Sequence, residues 1–537
     1  MHRCLQVVEI VSLVCEEIEE RSLPSFARVC RAFNDPALDV LWSHQNSLGN
    51  ILRCMPEGIW EEVFDEDDDE VTWVMNRPVL PSDWERPLVY AHRVKSLNYD
   101  GRFPVSGRPT SAEFLQSLHL CLPRQHLFPN LQTLWFFSRY EWTFEYIRLF
   151  LGPQINDLFL ARPQTAAHLS LLPTIAAECP LLKDLEIQHT NQELDCKDAV
   201  SALVLGLHRL ESIILPCLDN VALEHLARLP GLKSLTLENQ TVMSAFPAGF
   251  SNDILFPSLE SLHIMGEDVD AILPLLTLMT QAPLRDLDID VAGKITANRL
   301  AALYSAIIRY CKKSHTSLER FHYCPGIGTG SAIPTDADIS TYLVPGSHIL
   351  SLAPFTNLSV VLLTAPLGFD LDDAIVADLA QTWPHICELS IYSTFYVNRR
   401  SRITLKGLLS FAQHCPHLRS LALPLDATSS SPWPHQLVSE ADANAGRRIQ
   451  QNSLLYMIVM RSPIADPLLV AGFLSSVFPK LNSILTDKNL HGPQADGEGD
   501  DVIEAIACNE KWKAVAAALP MLRSIRKEER TWTRRRG

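Results

Sequence analysis

The chain has 537 residues, 47% of them hydrophobic and 20% charged, which is ample material for a sizeable core. Its formal net charge of −16 argues against non-specific binding to nucleic acid or an anionic membrane surface. The 13 cysteines form an odd, scattered set without a Cys-x-x-Cys pair, which excludes a disulfide framework or zinc module and predicts a reducing, intracellular setting, cytoplasmic and/or nuclear.

No apolar run approaches the ~20 residues that span a bilayer, so no membrane segment is expected. Leu5 to Cys15 is largely apolar but interrupted by Glu9, and it runs into Glu16, Glu17, Glu19 and Glu20 without a small-residue cleavage site, unlike a secretory leader. Residues 5–42 instead have a helical rhythm. Val7, Ile10, Val14 and Ile18 recur three or four residues apart and mark one helix face. Arg21, Ser22 and Pro24 predict a break. Leu23, Phe26, Val29, Cys30 and Phe33 give a second face, and Ala37, Leu38, Leu41 and Trp42 a third. Three such short helices bury too little surface to stand alone and require a partner.

The order of these residues resembles an F-box, the module that docks a protein onto the adaptor subunit of an SCF-type cullin–RING ubiquitin ligase. Glu9-Ile10 fits the acidic-Ile/Leu pair of its first helix, Val14 the following Ile, and Ile18 the closing Leu. Leu23 fits the start of the second helix, Val29-Cys30-Arg31-Ala32-Phe33 its Val-Cys/Ser-Lys/Arg-x-Trp/Phe signature, and Leu41-Trp42 the later Leu-Trp. Where the family opens with Leu-Pro, this chain has Gln6-Val7. The resemblance implies adaptor contacts through Val7, Glu9, Ile10, Val14, Ile18, Leu23, Val29, Cys30, Arg31 and Phe33 and, through the adaptor, association with a cullin. The alternative is that residues 1–50 only cap the remainder of the chain.

Residues 51–90, with four prolines and the acidic run Asp65 to Glu70, read as a linker. From residue 91 to 537 one phrase recurs, Leu-x-x-Leu-x-Leu, seen at Leu232-x-x-Leu235-x-Leu237. Its first positions are Val94, Leu131, Ile155, Leu182, Leu210, Leu232, Leu259, Leu284, Leu318, Leu358, Ile386, Leu418, Leu455, Leu481 and Leu522. Most neighbouring copies are 20–29 residues apart, the period of leucine-rich repeats. Longer gaps predict insertions near 324–347, 427–446 and 488–501, where the composition is that of loops. In a strand the fourth and sixth positions share one side, so both enter the core. A proline two residues before the first position, as at Pro129, Pro180, Pro416 and Pro520, ends a helix and starts an extended segment. Thr296 predicts a cap for a helix with Leu300, Leu303, Tyr304 and Ile307 on one face. The fold class is therefore α/β, with parallel strands lining a concave face and helices outside. The phrase resembles the repeats of F-box/leucine-rich-repeat proteins, best at Cys179-Pro180 and Cys415-Pro416.

No Walker loop, His-Glu-x-x-His or Gly-x-Ser-x-Gly is present, so no residue is expected to perform bond chemistry and no cofactor or metal is expected. Gly326-Ile-Gly328-Thr-Gly330 reads as an insertion loop, and His385, His414 and His417 as residues of helix–strand junctions. The third and fifth positions of each copy face away from the core. They offer Trp135 and Phe159, with Phe137 just beyond, then Asp184 and Glu186, and later Asp286, Asp288 and, after its strand, Asp290. This composition predicts a face for an unidentified protein target that contacts aromatic rings and carries Lys or Arg. A solvated face with local basic neighbours is the alternative. The resemblance implies a substrate-recognition subunit of the ligase. A repeat scaffold with a helical cap and no ligase role is the competing expectation.

Overall fold

The phrase becomes strand because its apolar positions alternate with polar ones. In the copy at Leu232 the three leucines are fully buried, Lys233 is exposed, and Ser234 and Thr236 are half-buried. The computed structural model describes residues 7–536 apart from 66–69, 101–111, 138–140, 162, 189–193, 241–253, 294, 326–338, 395–399, 429–448 and 487–499. They form two compact units, Met1–Glu238 and Asn239–Gly537.

In the first unit, His44–Gln45, Ser96–Tyr99, Thr133–Phe136, Asp157–Ala161, Asp184–Gln188, Ser212–Leu215 and Ser234–Gln240 pair in that order, all parallel. In the second, the order is Ser261–Gly266, Asp286–Val291, Arg320–Pro325, Val360–Ala365, Glu388–Ser393, Ser420–Ala422, Tyr456–Ile458 and Ser483–Leu485, again all parallel. Helical connections join them, and consecutive helices pack side by side: Ala166–Glu178 on Lys197–Leu205, and that helix on Asn220–Ala227. This is the α/β repeat that the spacing predicts.

Several strands are entered through the same small turn. The amide of the first apolar position donates to the carbonyl three residues back, as in Leu131 to Phe128 (3.1 Å), Leu182 to Cys179 and Leu418 to Cys415 (both 3.3 Å). Pro129, Pro180 and Pro416 occupy the second position of these turns, where the fixed φ of proline is already suitable. The next residue then bonds along the ladder: Lys183 N to Asn156 O, Glu211 N to Lys183 O and Lys233 N to Glu211 O, at 2.7–2.8 Å. The helix Ala297–Tyr310 starts at Thr296, whose hydroxyl accepts from Arg299 N, and it buries Leu300, Leu303, Tyr304 and Ile307 as expected.

Several expectations are corrected. Leu522 is not a strand residue. It lies in the long helix Asp500–Arg536, which runs through Pro520 and buries Trp512, Val515 and Leu519 at helical spacing. At the basic end of this helix Arg523 donates to Leu481 O (2.5 Å) and Arg526 to Gly472 O (3.0 Å). The copy placed at Leu455 begins one residue earlier: Leu454 is fully buried and Tyr456 exposed. Asp290 stands inside its strand, not after it. Residues 51–90 are more than a linker. They hold an antiparallel hairpin, Trp60–Asp65 with Glu70–Met75, and a helix, Glu85–Ala91, preceded by the fully buried Trp84. Arg77 and Asp83 pair there at 2.8 Å. Most of the three insertions, and Gly326 to Gly330, lie outside the described residues.

Candidate functional site

The N-terminal helices are Val8–Glu16, Leu23–Ala27 and Arg31–Ser43. They close around their own cluster of Val11, Cys15, Leu23, Ala27, Phe33 and Ala37, with Ile18, Phe26, Cys30, Val40 and Leu41 packed at its margin. Phe26 stacks on Phe33 at 4.6 Å. Of the ten residues expected at an adaptor, Leu23 and Phe33 are therefore interior and hold the helices together. Ile18 and Cys30 are half-buried, whereas Val7, Glu9, Ile10, Val14, Val29 and Arg31 are exposed. Val7, Ile10 and Val14, with Leu13, share a helix face adjoining the buried one. Ile10 remains 38% exposed and Val29 65%.

The third helix is fastened to the first full strand. Arg93 donates to the Asp35 carboxylate at 2.8 Å and to Asp39, and these carboxylates hold its pKa up against the burial that lowers it. Trp42 stacks on Tyr90 at 4.5 Å. His44–Gln45 then pairs with Ser96–Leu97, a strand absent from the sequence expectation.

On the open strand face of the first unit, Trp135 is 48% exposed and stacks on Phe159 at 5.3 Å. Phe159 is only 9% exposed, so Trp135 covers it and presents most of the aromatic surface. Phe137 is half-buried just past the strand, its amide bonded to Tyr99 O. The next strands are acidic. Asp157 stands opposite Asp184, and Phe159 opposite Glu186. Burial and the Asp184 charge raise the Asp157 pKa, while the Trp135 and Thr133 side chains donate to it. Burial followed by the Glu211 charge raises that of Asp184. Glu211 is bonded by both Lys183 (2.7 Å) and Lys233 (2.8 Å), which hold it down to about 2. The aromatic and acidic residues expected at a target thus adjoin within this unit.

On the corresponding face of the second unit, Asp286, Asp288 and Asp290 have nearby cationic or titratable neighbours on both sides. Arg320 donates twice to Asp286, at 2.7 and 3.0 Å. His263 Nε2 lies 3.4 Å from Asp290 Oδ2 and 3.9 Å from Asp288 Oδ2. His322 Nδ1 is 3.8 Å from Asp288 Oδ2, and that carboxylate holds the imidazole pKa above its usual value. Local neighbours therefore stand against these carboxylates. His263 and His322 were missed, although both occupy the fifth position of their copies, as Asp288 does.

His385, His414 and His417 are exposed at junctions as expected. Burial pushes the Cys179 and Cys415 thiols up to about 12, so both remain protonated packing residues. Among the described residues, no helix is long and apolar enough to cross a membrane. Neither a family model nor a curated protein matches the chain.

Proposed function

We propose that the chain is an intracellular F-box protein with leucine-rich repeats. It acts as the substrate-recognition subunit of an SCF-type cullin–RING ubiquitin ligase. The observation that carries this reading is the exposed apolar face of Val7, Ile10, Leu13 and Val14, with Val29, on helices whose own core is already closed. Apolar side chains left outside a completed core are the surface a partner covers. The adaptor is that partner, and the cullin joins through it.

The strand faces hold the target. Trp135 supplies an aromatic anchor, and the carboxylates of Asp184 and Glu186 favour a segment bearing Lys or Arg. The role is positioning, which raises the target's effective concentration at a ubiquitin-loaded enzyme held by other subunits.

The experiment is co-expression with the adaptor followed by size-exclusion chromatography. The expected result is a stoichiometric complex with the intact chain, lost on Ile10→Asp or Val29→Asp, both exposed positions whose substitution spares the core. Absence of a complex with the intact, folded chain overturns the reading. A complex indifferent to both substitutions overturns the assignment of the face.

A second reading, a repeat scaffold whose helices only cap the ladder, draws support from the Arg93 ion pairs and the His44–Gln45 strand. On that reading Arg93→Ala lowers stability and no adaptor complex forms.

A further inference from the structure

Aligning three consecutive copies on Leu259, Leu284 and Leu318 brings His263, Asp288 and His322 side by side, and the strand register confirms the alignment. Two residues further along, Met265, Asp290 and Cys324 form the next row. The result is a compact set of metal-ligating donors drawn from three strands. One donor atom each from His263, Asp288 and Asp290 lies within 4.8 Å of the other two. The His263 Nε2 edges to the carboxylate oxygens are 3.4 and 3.9 Å. In a four-coordinate zinc site, bonds of roughly 2.0–2.2 Å make ligand-to-ligand edges about 3.3–3.6 Å. The edge from His263 to Asp290 falls in that range, the edge to Asp288 lies slightly beyond it, and all three donors fit within 4.8 Å, so small side-chain rotations bring them onto one ion.

We propose that His263, Asp288 and Asp290 form a site for a divalent first-row transition ion of the Zn2+ type, with one or more positions open to solvent. The donor chemistry selects the class. An imidazole with two carboxylates suits Zn2+, Co2+ or Mn2+ better than Ca2+, which takes six to eight oxygens. Two carboxylates and a neutral imidazole balance the charge of a divalent ion, so binding relieves the repulsion between Asp288 and Asp290. Each of the three side chains is about 30% exposed, which leaves the ion a route in and the open position accessible to an outside ligand. His322 stands beside Asp288, with Nδ1 3.8 Å from Oδ2, where a modest rotation lets it hold that carboxylate once the ion is bound, as a neighbouring group fixes a metal ligand. Carboxylates alone do not make this site. The histidine from the preceding strand does.

The inference is independent of the adaptor reading. The test uses the full chain stripped with a chelator, Zn2+ by titration calorimetry and Co2+ as a spectroscopic probe. The expected result is one equivalent of Zn2+, a metal-dependent rise in thermal midpoint, and the visible bands of low-coordinate Co2+. His263→Ala and Asp290→Asn abolish the Co2+ bands. His322→Gln weakens binding about tenfold. Asp286→Asn, outside the donor set, leaves it unchanged. All four positions lie on the open strand face, and the metal-free thermal midpoint of each variant reports whether it folds. Failure of the wild type to bind Zn2+ or Co2+ overturns the proposal and leaves a histidine–carboxylate ion-pair network. Binding that survives in both folded ligand variants overturns it as well, because the ion then sits elsewhere, for example on cysteine.

Discussion

Gln451 is a fully enclosed amide that ties two copies of the repeat together. Its Nε2 donates to Leu418 O at 2.8 Å and Cys415 O at 3.2 Å, and its Oε1 accepts from Leu454 N at 2.8 Å and Ser453 N at 2.9 Å. One side chain thus satisfies the turn of one copy and the entry of the next. Replacement by Leu keeps the volume but strands several buried backbone groups, each costing about 1–3 kcal/mol. Gln451→Leu is expected to lower the unfolding free energy of the second unit by at least about 2 kcal/mol in urea titrations; a loss under about 0.5 kcal/mol contradicts this role. Gln451 also decides the register there. Counted from Leu455, the core positions would be Ile458 and Met460, as apolar as the true Met457 and Val459. Hydrophobicity alone therefore does not distinguish the frames, and a buried amide three residues before Leu454 does.

Between strands, the unit of energy is the cross-strand pair. Asp157 and Asp184 face one another, and like charges directly opposite destabilise a sheet. Both folded pKa values are raised, so between the ordinary carboxylate pKa and the raised value the folded chain holds more protons than the unfolded one. Stability from this pair is greatest below the ordinary value and declines as pH rises through the raised one. Asp157→Asn, which keeps an acceptor for Trp135, is expected to raise the thermal midpoint at pH 7 and to make no difference near pH 3. Midpoints across that range check the sign.

At the same scale, sequence and structure part at one instructive place. The phrase at Pro520 and Leu522 has Ile525 in its fourth position but Lys527 in its sixth, where a strand would drive an ammonium into the core. Trp512, Val515 and Leu519, spaced three and four apart, carry the competing helical signal, and tertiary packing favours it over the proline. The hairpin at residues 60–75 was illegible for a different reason. An acidic run between its strands reads as loop by composition, and strand pairing is a non-local property.

For the molecule as a whole, the ladder was legible because a single spacing recurs and one misread copy leaves the rest in place. The strand-face residues were legible by position and only partly by chemistry. Trp135, Asp184 and Asp288 fall where the alternation puts them, while their environment depends on side chains from copies 24 to 34 residues away. The net charge of −16 is likewise unevenly answered: Arg320, Lys183 and Lys233 pair with particular carboxylates, while Asp157 keeps Asp184 as a like-charged neighbour.

Among the described residues the ladder ends at one strand, and the last strand of a parallel ladder offers an unbonded row of amides and carbonyls to any other extended chain. The helix Asp500–Arg536 packs beside that strand, Ser483–Leu485, and is anchored by the Trp512 indole on Ser462 O at 2.8 Å and by Arg523 on Leu481 O. The expected consequence is colloidal: a covered edge does not let one copy of the protein template the next. Removal of residues 500–537 is expected to give concentration-dependent oligomers in light scattering, whereas the full chain keeps one size. A truncated chain that stays monomeric while folded would mean that the edge is guarded by something else.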